Sequence, residues 1–348
     1  MDLAFLIYLS SGLFLGWSLG ASEASNFGTA VATKMIKFRT AAVLASISIT
    51  VGAVYAGAGA SQTLGALGDI KAIAGAFMVA LSAAATSAWM VKFALPVSIS
   101  QAIVGAIIGW NFYAGKATNY IVLSKIFSAW FLGPIFSAIF AIALYSLLKF
   151  CFKRWPIHLL RKDCYTRIAL ILAGIFGSYA LGANNIANVM GVFVDVSPLH
   201  ALTFPFGLTL NKTQVLFLLG SIAIVIGLCT YSKKIIFTVG QTIMKLSPLM
   251  AWVVVASQGL VLFLFSSQGL HDFLILHHLP AFPLVPVSST HAVIGAVMGL
   301  GIAKGGHDLN WNVLGKISLS FITTPVFAAI ICYISLFFLQ NVFNQVVY

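Results

Sequence analysis

The sequence predicts an all-α polytopic membrane protein built from two inverted-topology repeats, each with about five membrane segments and with broken, re-entrant half-helices at the midplane. Composition, segment length and repeated motifs carry this prediction. Of the 348 residues, 60% are hydrophobic and 7% are charged, whereas soluble domains carry about 25% charged residues. Because lipid admits only helices and closed barrels, the long continuous apolar runs indicate helices.

The chain contains ten apolar segments, most of them about 17–25 residues long, which is the length that a helix needs to cross a bilayer. The most polar linker, 149–166, separates the fifth segment from the sixth. We therefore divide the chain into a first repeat at 1–148, this basic cytoplasmic linker, and a second repeat at 167–348. The segments lie near 3–20, 41–60, 72–94, 96–112, 121–148, 167–183, 213–231, 249–266, 286–303 and 313–339.

Three motifs occur in both halves in the same order, which indicates an internal duplication. The pairs are LGASEASN (19–26) with LGANNIAN (181–188), PVSISQAIVGAIIG (96–109) with PVSSTHAVIGAVMG (286–299), and SKIFSAWFLGPIFSAI (124–139) with GKISLSFITTPVFAAI (315–330). Since five crossings per repeat is an odd number, the second repeat must be inverted relative to the first, as in many secondary transporters. The GAIIG and GAVMG patterns within the second pair predict close helix packing.

The distribution of basic residues suggests how the chain is oriented. If the N-terminus lies outside, most of the 19 Lys and Arg residues fall in inside loops, as the positive-inside rule requires. We therefore expect ten crossings, both termini outside or periplasmic, and a bacterial inner (plasma) membrane location. The net charge of +12 is explained by these loops, so no nucleic-acid partner is expected.

Polar side chains interrupt two of the apolar segments at matching places. GANNIAN (182–188) carries three asparagines, and GASEASN (20–26) carries Glu23, the only glutamate in the chain. Glycine is a poor helix former, so we expect both segments to unwind and to expose backbone groups that bind ions or substrate. One asparagine alone would more often join helices, and Glu23 could pair with Lys34 or Lys37. The duplication favours a cation or proton site.

The second repeated motif predicts the starts of two half-helices. In PVSISQ (96–101) and PVSSTH (286–291), Pro and Ser or Thr suit the first turn and the N-cap of a helix. A helix N-terminus offers free N–H groups and a positive dipole end, which bind anions. Capping alone would explain one copy, but two inverted copies should meet near the midplane. His291 could relay protons, although a lone histidine is more often a satisfied polar group.

These motifs resemble those of the inorganic phosphate transporter (PiT) family. GANNIAN resembles its G-A-N-D-V-A-N signature, PVSSTHAVIGAVMG is similar to P-[IV]-S-T-T-H-A-[IV]-[IV]-G-A, and the match extends over nearly the whole chain. The resemblance implies a symporter that imports inorganic phosphate with Na⁺ or H⁺, without a cofactor or a resident metal. It also implies alternating access of an elevator or rocking type within the lipid bilayer, and a homodimer.

The resemblance and the half-helix argument together imply the site residues. We expect phosphate to bind Asn26, Ser98, Ser100, Gln101, Asn188, Ser288, Ser289 and Thr290. We expect the cation to bind Ser22, Glu23, Asn184 and Asn185, with His291 as a candidate proton relay.

The chain departs from the family signature at its acidic positions, where the family has Asp and this chain has Glu23 and Asn185. We therefore expect fewer or more weakly bound cations. Short family members include sulfate permeases, so sulfate stays an alternative substrate, although the intact SSTH favours phosphate. An intramembrane Ser–His hydrolase would need an acid to orient His291, and a passive channel would not explain Glu23. The expected protein is therefore a transporter and not an enzyme.

Overall fold

The computed structural model describes residues 3–23, 27–28, 31, 33–92, 97–154, 158–203, 205–207, 209–232, 246–305 and 311–348. These residues are mostly helical. Their helices are α1 (Leu3–Glu23), α2 (Phe38–Ala56), α3 (Ala58–Gly68), α4 (Ile73–Lys92), α5 (Ile99–Ala114), α6 (Tyr120–Arg154), α7 (Leu159–Met190), α8 (Lys212–Thr230), α9 (Pro248–Leu264), α10 (Gln268–Leu276), α11 (Ser289–Ala303) and α12 (Trp311–Asn341). Two short antiparallel strands, β1 (Leu202–Thr203) and β2 (Thr209–Leu210), lie between α7 and α8.

Each predicted apolar segment contains a helix, but two of these helices are short. Within the described ranges, seven helices are long and apolar enough to cross a membrane, and the pair α9 and α10, bent by 62°, adds an eighth if it forms one span. Helices α5 and α11 have 16 and 15 residues, fewer than the roughly 20 that a crossing requires. By length and composition the described residues therefore support seven or eight crossings, and the expectation of ten stays a prediction that depends on the two short helices after the Pro-Val-Ser segments.

The surface confirms that the protein is integral to the membrane. Long helices α6 and α12 expose apolar side chains along most of their length. On α6, Phe131 is 70% exposed and Ile139 is 53% exposed, and on α12, Ile322 is 69% exposed. Such bands of apolar surface are compatible with lipid and incompatible with water, where large exposed apolar patches are rare.

Helices from the two halves of the chain pack in matching pairs. Helix α1 packs against α8 as α7 packs against α2, and α5 packs against α12 as α11 packs against α6. The contacts of α4 with α1, α5 and α12 likewise match those of α9 with α7, α11 and α6. Each half therefore completes its packing with helices from the other half.

Glycines allow the short helices to approach the long ones closely. A Cβ atom at Gly105 would collide with the backbone of Pro325, and one at Gly295 would collide with the backbone of Pro134. The two prolines lie inside α12 and α6. The close packing that the GAIIG and GAVMG patterns predict is therefore confirmed, since the helix backbones meet where a larger residue would not fit.

Candidate substrate and ion site

The two short helices begin with the same cap. The hydroxyl of Ser98 accepts a hydrogen bond from the backbone N–H of Gln101 at 3.3 Å, at the start of α5. The hydroxyl of Ser288 accepts one from the N–H of His291 at 3.3 Å, at the start of α11. Both serines are fully buried. The predicted N-caps are thus confirmed, and each leaves the remaining first-turn N–H groups for other acceptors.

The two helix starts lie next to each other. Thr290, in the first turn of α11, donates to the carbonyl of Val97, just before α5, over 3.4 Å. The carboxylate of Glu23, the last residue of α1, connects the same two starts. It accepts from the backbone N–H of Ile99 over 3.3 Å and from the hydroxyl of Ser289. The starts of two helices therefore converge on one buried carboxylate of a third helix.

The three asparagines of GANNIAN (182–188) project from an intact helix. Helix α7 runs from Leu159 to Met190 without a break, so the expectation that 182–188 unwinds is wrong. Gly182 has another role, since a Cβ atom there would collide with the backbone of Ile49 on α2. In the first half, Gly20 makes the same contact with Ile224 on α8, and α1 is helical through Glu23. Close packing accounts for both glycines, and residues 24–26 of the first copy lie outside the described residues.

Asn184 holds the extended segment that leads into α11. Its Nδ2 donates to the carbonyl of Val285 over 3.1 Å, and its Oδ1 accepts from the backbone N–H of Val287 over 2.7 Å. The side chain is fully buried, and it pairs with the backbone as a neighbouring strand would. Asn184, predicted to bind a cation, therefore positions the start of α11 in this structure.

Asn185 and Asn188 form the polar contact between α7 and α5. The Nδ2 of Asn188 donates to Ser100 Oγ over 2.8 Å and to Asn185 Oδ1 over 3.0 Å. Within the described part of the chain, the buried Asn188 Oδ1, Asn185 Nδ2 and Gln101 Oε1 have no hydrogen-bond partner. Buried polar groups are nearly always paired, so these unpartnered atoms are candidate ligands for water, an ion or substrate.

The other predicted site residues are distributed as follows. Ser22 is half-buried, and its hydroxyl donates to the carbonyl of Ser18 in its own helix over 2.7 Å. His291 is buried in the first turn of α11, and its ring centroid lies 3.4 Å from that of Phe321. Asn26 lies outside the described residues. Among those that are described, no group of three or more His, Cys, Asp or Glu side chains could hold a metal ion.

The structure adds one buried polar pair that the sequence reasoning did not single out. Ser257 and Gln258 lie in the middle of α9, fully buried, and the hydroxyl and both amide atoms lack partners within the described ranges. Helix α9 packs against α7 and α11, which carry the asparagine motif and the SSTH motif. A Gln inside the apolar segment 249–266 was the signal that could have identified this pair.

These features define a class of protein. A helical membrane protein whose two short helix starts, buried amides and one carboxylate meet in its interior has the plan of a secondary transporter. The comparison with known families is more specific: the chain belongs to the phosphate transporter family, whose model matches residues 19–271 and 276–347. Members of this family are transporters and not enzymes, which confirms the expectation that the chain has no enzymatic function.

Individual relatives agree with the family. The chain is 26% identical over 336 residues to a Methanocaldococcus jannaschii protein whose name assigns it as a phosphate permease, covering 96% of this chain and 97% of that protein. It is 27% identical over 328 residues to a Bacillus subtilis protein named as a low-affinity inorganic phosphate transporter, covering 92% of each. A solved structure of a sodium-dependent phosphate transporter matches with a TM-score of 0.74 at 22% identity, covering 97% of this chain and 100% of that one. This last match supports the fold.

Proposed function

We propose that the protein is a symporter that imports inorganic phosphate together with Na⁺ or H⁺. The family and the names of the two relatives support phosphate as the substrate. The sodium dependence of the transporter whose structure matches favours Na⁺ as the coupling ion. The observation that carries the proposal is the convergence of both half-helix starts on the buried carboxylate of Glu23.

Phosphate would bind at the two half-helix starts. Each start presents first-turn N–H groups and the positive end of a helix dipole, and both attract a dianion. The hydroxyls of Ser289 and Thr290 lie there, and Ser100 lies in the first turn of α5. Neutral donors of this kind bind the tetrahedral oxygens without a fixed positive charge, so the anion can also leave, as transport requires.

The coupling cation would bind Glu23 together with neighbouring amide oxygens. A carboxylate inside a membrane segment costs at least a few kcal/mol unless it is paired or hydrated, so its place at the helix starts supports a role in transport. The unpartnered oxygens Asn188 Oδ1 and Gln101 Oε1 are acceptors, and a cation ligand must be an acceptor. We therefore propose Gln101 and Asn188, both predicted from the sequence to bind phosphate, as candidate cation ligands instead.

The transport cycle would use the two repeats of the fold. The matching helix pairs across the halves support an internal duplication with boundaries near the linker at 149–166, and the second repeat would be inverted relative to the first. In such folds, one bundle rocks or slides against the other around a fixed site. We further propose a homodimer in a bacterial inner membrane with both termini outside.

Uptake into proteoliposomes tests this function. Labelled phosphate and labelled sulfate would be offered in turn under an inward Na⁺ gradient, an inward H⁺ gradient, or neither, with empty liposomes as the control. We expect saturable phosphate uptake that requires one of the two gradients. Faster uptake of sulfate than of phosphate would indicate a sulfate permease, and uptake that ignores both gradients would contradict symport.

A further inference from the structure

The carboxylate of Glu23 uses donors that an anion would use. Its Oε1 accepts from the backbone N–H of Ile99, the first residue of α5, over 3.3 Å. Its Oε2 accepts from the hydroxyl of Ser289, the first residue of α11. Glu23 is only 2% exposed. One side chain therefore occupies a donor of each half-helix start, at a point shielded from bulk water.

Two anions cannot share these donors. A helix start is the preferred place for a carboxylate or a phosphate, because its N–H groups and dipole favour negative charge. A phosphate that accepted from Ile99 and Ser289 would lie within a few ångströms of the Glu23 carboxylate. Like charges repel strongly at that distance in a buried site, so phosphate can take these donors only after the carboxylate leaves or is neutralised.

We infer that Glu23 is a built-in competitor of the transported anion, which holds the donors of both half-helix starts until the coupling cation draws its carboxylate away. This inference rests on the proposed function and extends it to the order of binding. A cation on the carboxylate weakens its bonds to Ile99 and Ser289, and so frees the donors for phosphate. Cation and phosphate then favour each other's binding, and by linkage the effect is reciprocal.

Glu23 is suited to this role by its place in the chain. It lies in the last turn of α1 that the structure describes, and its carboxylate reaches the starts of both α5 and α11. Its counterpart in the second repeat is Asn185, whose Oδ1 accepts from Asn188 and not from a helix start. The competitor is therefore specific to the first repeat.

Binding of labelled phosphate to the purified full-length protein tests the inference. Wild type and Glu23→Gln would be titrated in choline buffer free of Na⁺, at a fixed, mildly alkaline pH, and again with Na⁺. A neutral amide competes less well than a carboxylate, so we expect Glu23→Gln to bind phosphate about tenfold more tightly than wild type without Na⁺. Addition of Na⁺ should raise the phosphate affinity strongly in wild type and only slightly in the variant.

Asp69→Asn is the matched control, since Asp69 is an exposed carboxylate that pairs with Lys71, and it should bind phosphate as wild type does. Glu23→Ala, which also removes the charge, provides a second test if Glu23→Gln does not elute as a folded protein. Phosphate affinity in these variants equal to or weaker than that of wild type would overturn the competitor while leaving the proposed function intact. No phosphate binding by wild type under any cation condition would overturn both.

Discussion

The two copies of the first repeated motif, GASEASN (20–26) and GANNIAN (182–188), share the packing of a glycine but differ in their polar side chains. Gly20 and Gly182 make equivalent backbone contacts with α8 and α2, so the helices around each copy approach in the same way. The polar side chains differ. Glu23 accepts from both half-helix starts, whereas Asn184 and its neighbours hold backbone and side-chain amides in place. The comparison shows that the two copies share their glycine packing, while the first carries a charge and the second supports neighbouring groups with neutral amides.

The largest effect is expected when Glu23, the charged residue of the first copy, is replaced. Glu23→Gln should reduce cation-driven phosphate uptake to less than about one tenth of the wild-type rate, because an intramembrane carboxylate is replaced by a group that cannot balance the cation. Initial rates of labelled phosphate uptake into proteoliposomes would measure this loss. Asp69→Asn controls for loss of an acid at the surface. Uptake by Glu23→Gln at the wild-type rate would remove the functional difference between the two copies.

Substitution of the glycine that packs against a neighbouring helix should destabilise the protein equally in both copies. Gly20→Ala and Gly182→Ala each place a Cβ atom against a helix backbone, and overpacking of this kind costs about 1–3 kcal/mol. Thermal unfolding in detergent should show a lower melting temperature for both variants. Gly269→Ala, at which a Cβ atom meets nothing within 4 Å, should melt as wild type does. A large effect at one glycine and none at the other would argue against equivalent packing.

Replacing Asn184 in the uncharged second copy should lower the stability of the protein more than it changes the selectivity between anions. Asn184→Ala leaves the carbonyl of Val285 and the N–H of Val287 without their partner, which costs about 2–4 kcal/mol for two buried groups. We expect a lower melting temperature and slower uptake at an unchanged preference between phosphate and sulfate. Asn341→Ala, which removes an exposed amide on α12, is the control. A changed preference between the anions would instead place Asn184 in the binding site.

The smallest effect is expected at the rim of the site. Thr290→Ala removes one hydroxyl donor from the start of α11, and the half-saturation concentration for phosphate should rise about threefold to tenfold, as expected when a single hydrogen bond is lost. Uptake measured over a range of phosphate concentrations would show the change. Thr323→Ala on α12, whose hydroxyl bonds within its own helix, should leave it unaltered. An unaltered half-saturation concentration in Thr290→Ala would exclude a direct role in binding.

Local chemistry made the helices and their caps predictable. The order Pro-Val-Ser specifies an extended entry followed by an N-cap, and Ser98 and Ser288 cap α5 and α11 as expected. The GxxxG patterns likewise predicted close packing that Gly105 and Gly295 confirm. Features of this kind depend on a few neighbouring residues, and the sequence displays them directly.

Features that depend on distant partners were not predictable. Gly182 resembles a helix breaker in the sequence because the backbone of Ile49, which it contacts, is far away in the chain. Nearby lysines are the partners that the sequence suggests for Glu23, whereas the structure brings it to Ile99 and Ser289, 76 and 266 residues away. The short helices α5 and α11 show that apolar composition alone does not separate a full span from a half-helix.

Uphill accumulation of phosphate tests the central claim most directly, namely that the two half-helix starts and Glu23 form one coupled site. Wild type and Glu23→Gln would be reconstituted side by side, and labelled phosphate inside the vesicles would be followed under an imposed cation gradient and after its collapse by an ionophore. The account predicts that wild type concentrates phosphate above the external level only while the gradient lasts, and that the variant at most equilibrates it. Equal accumulation in both proteins, or accumulation by wild type without a gradient, would contradict it.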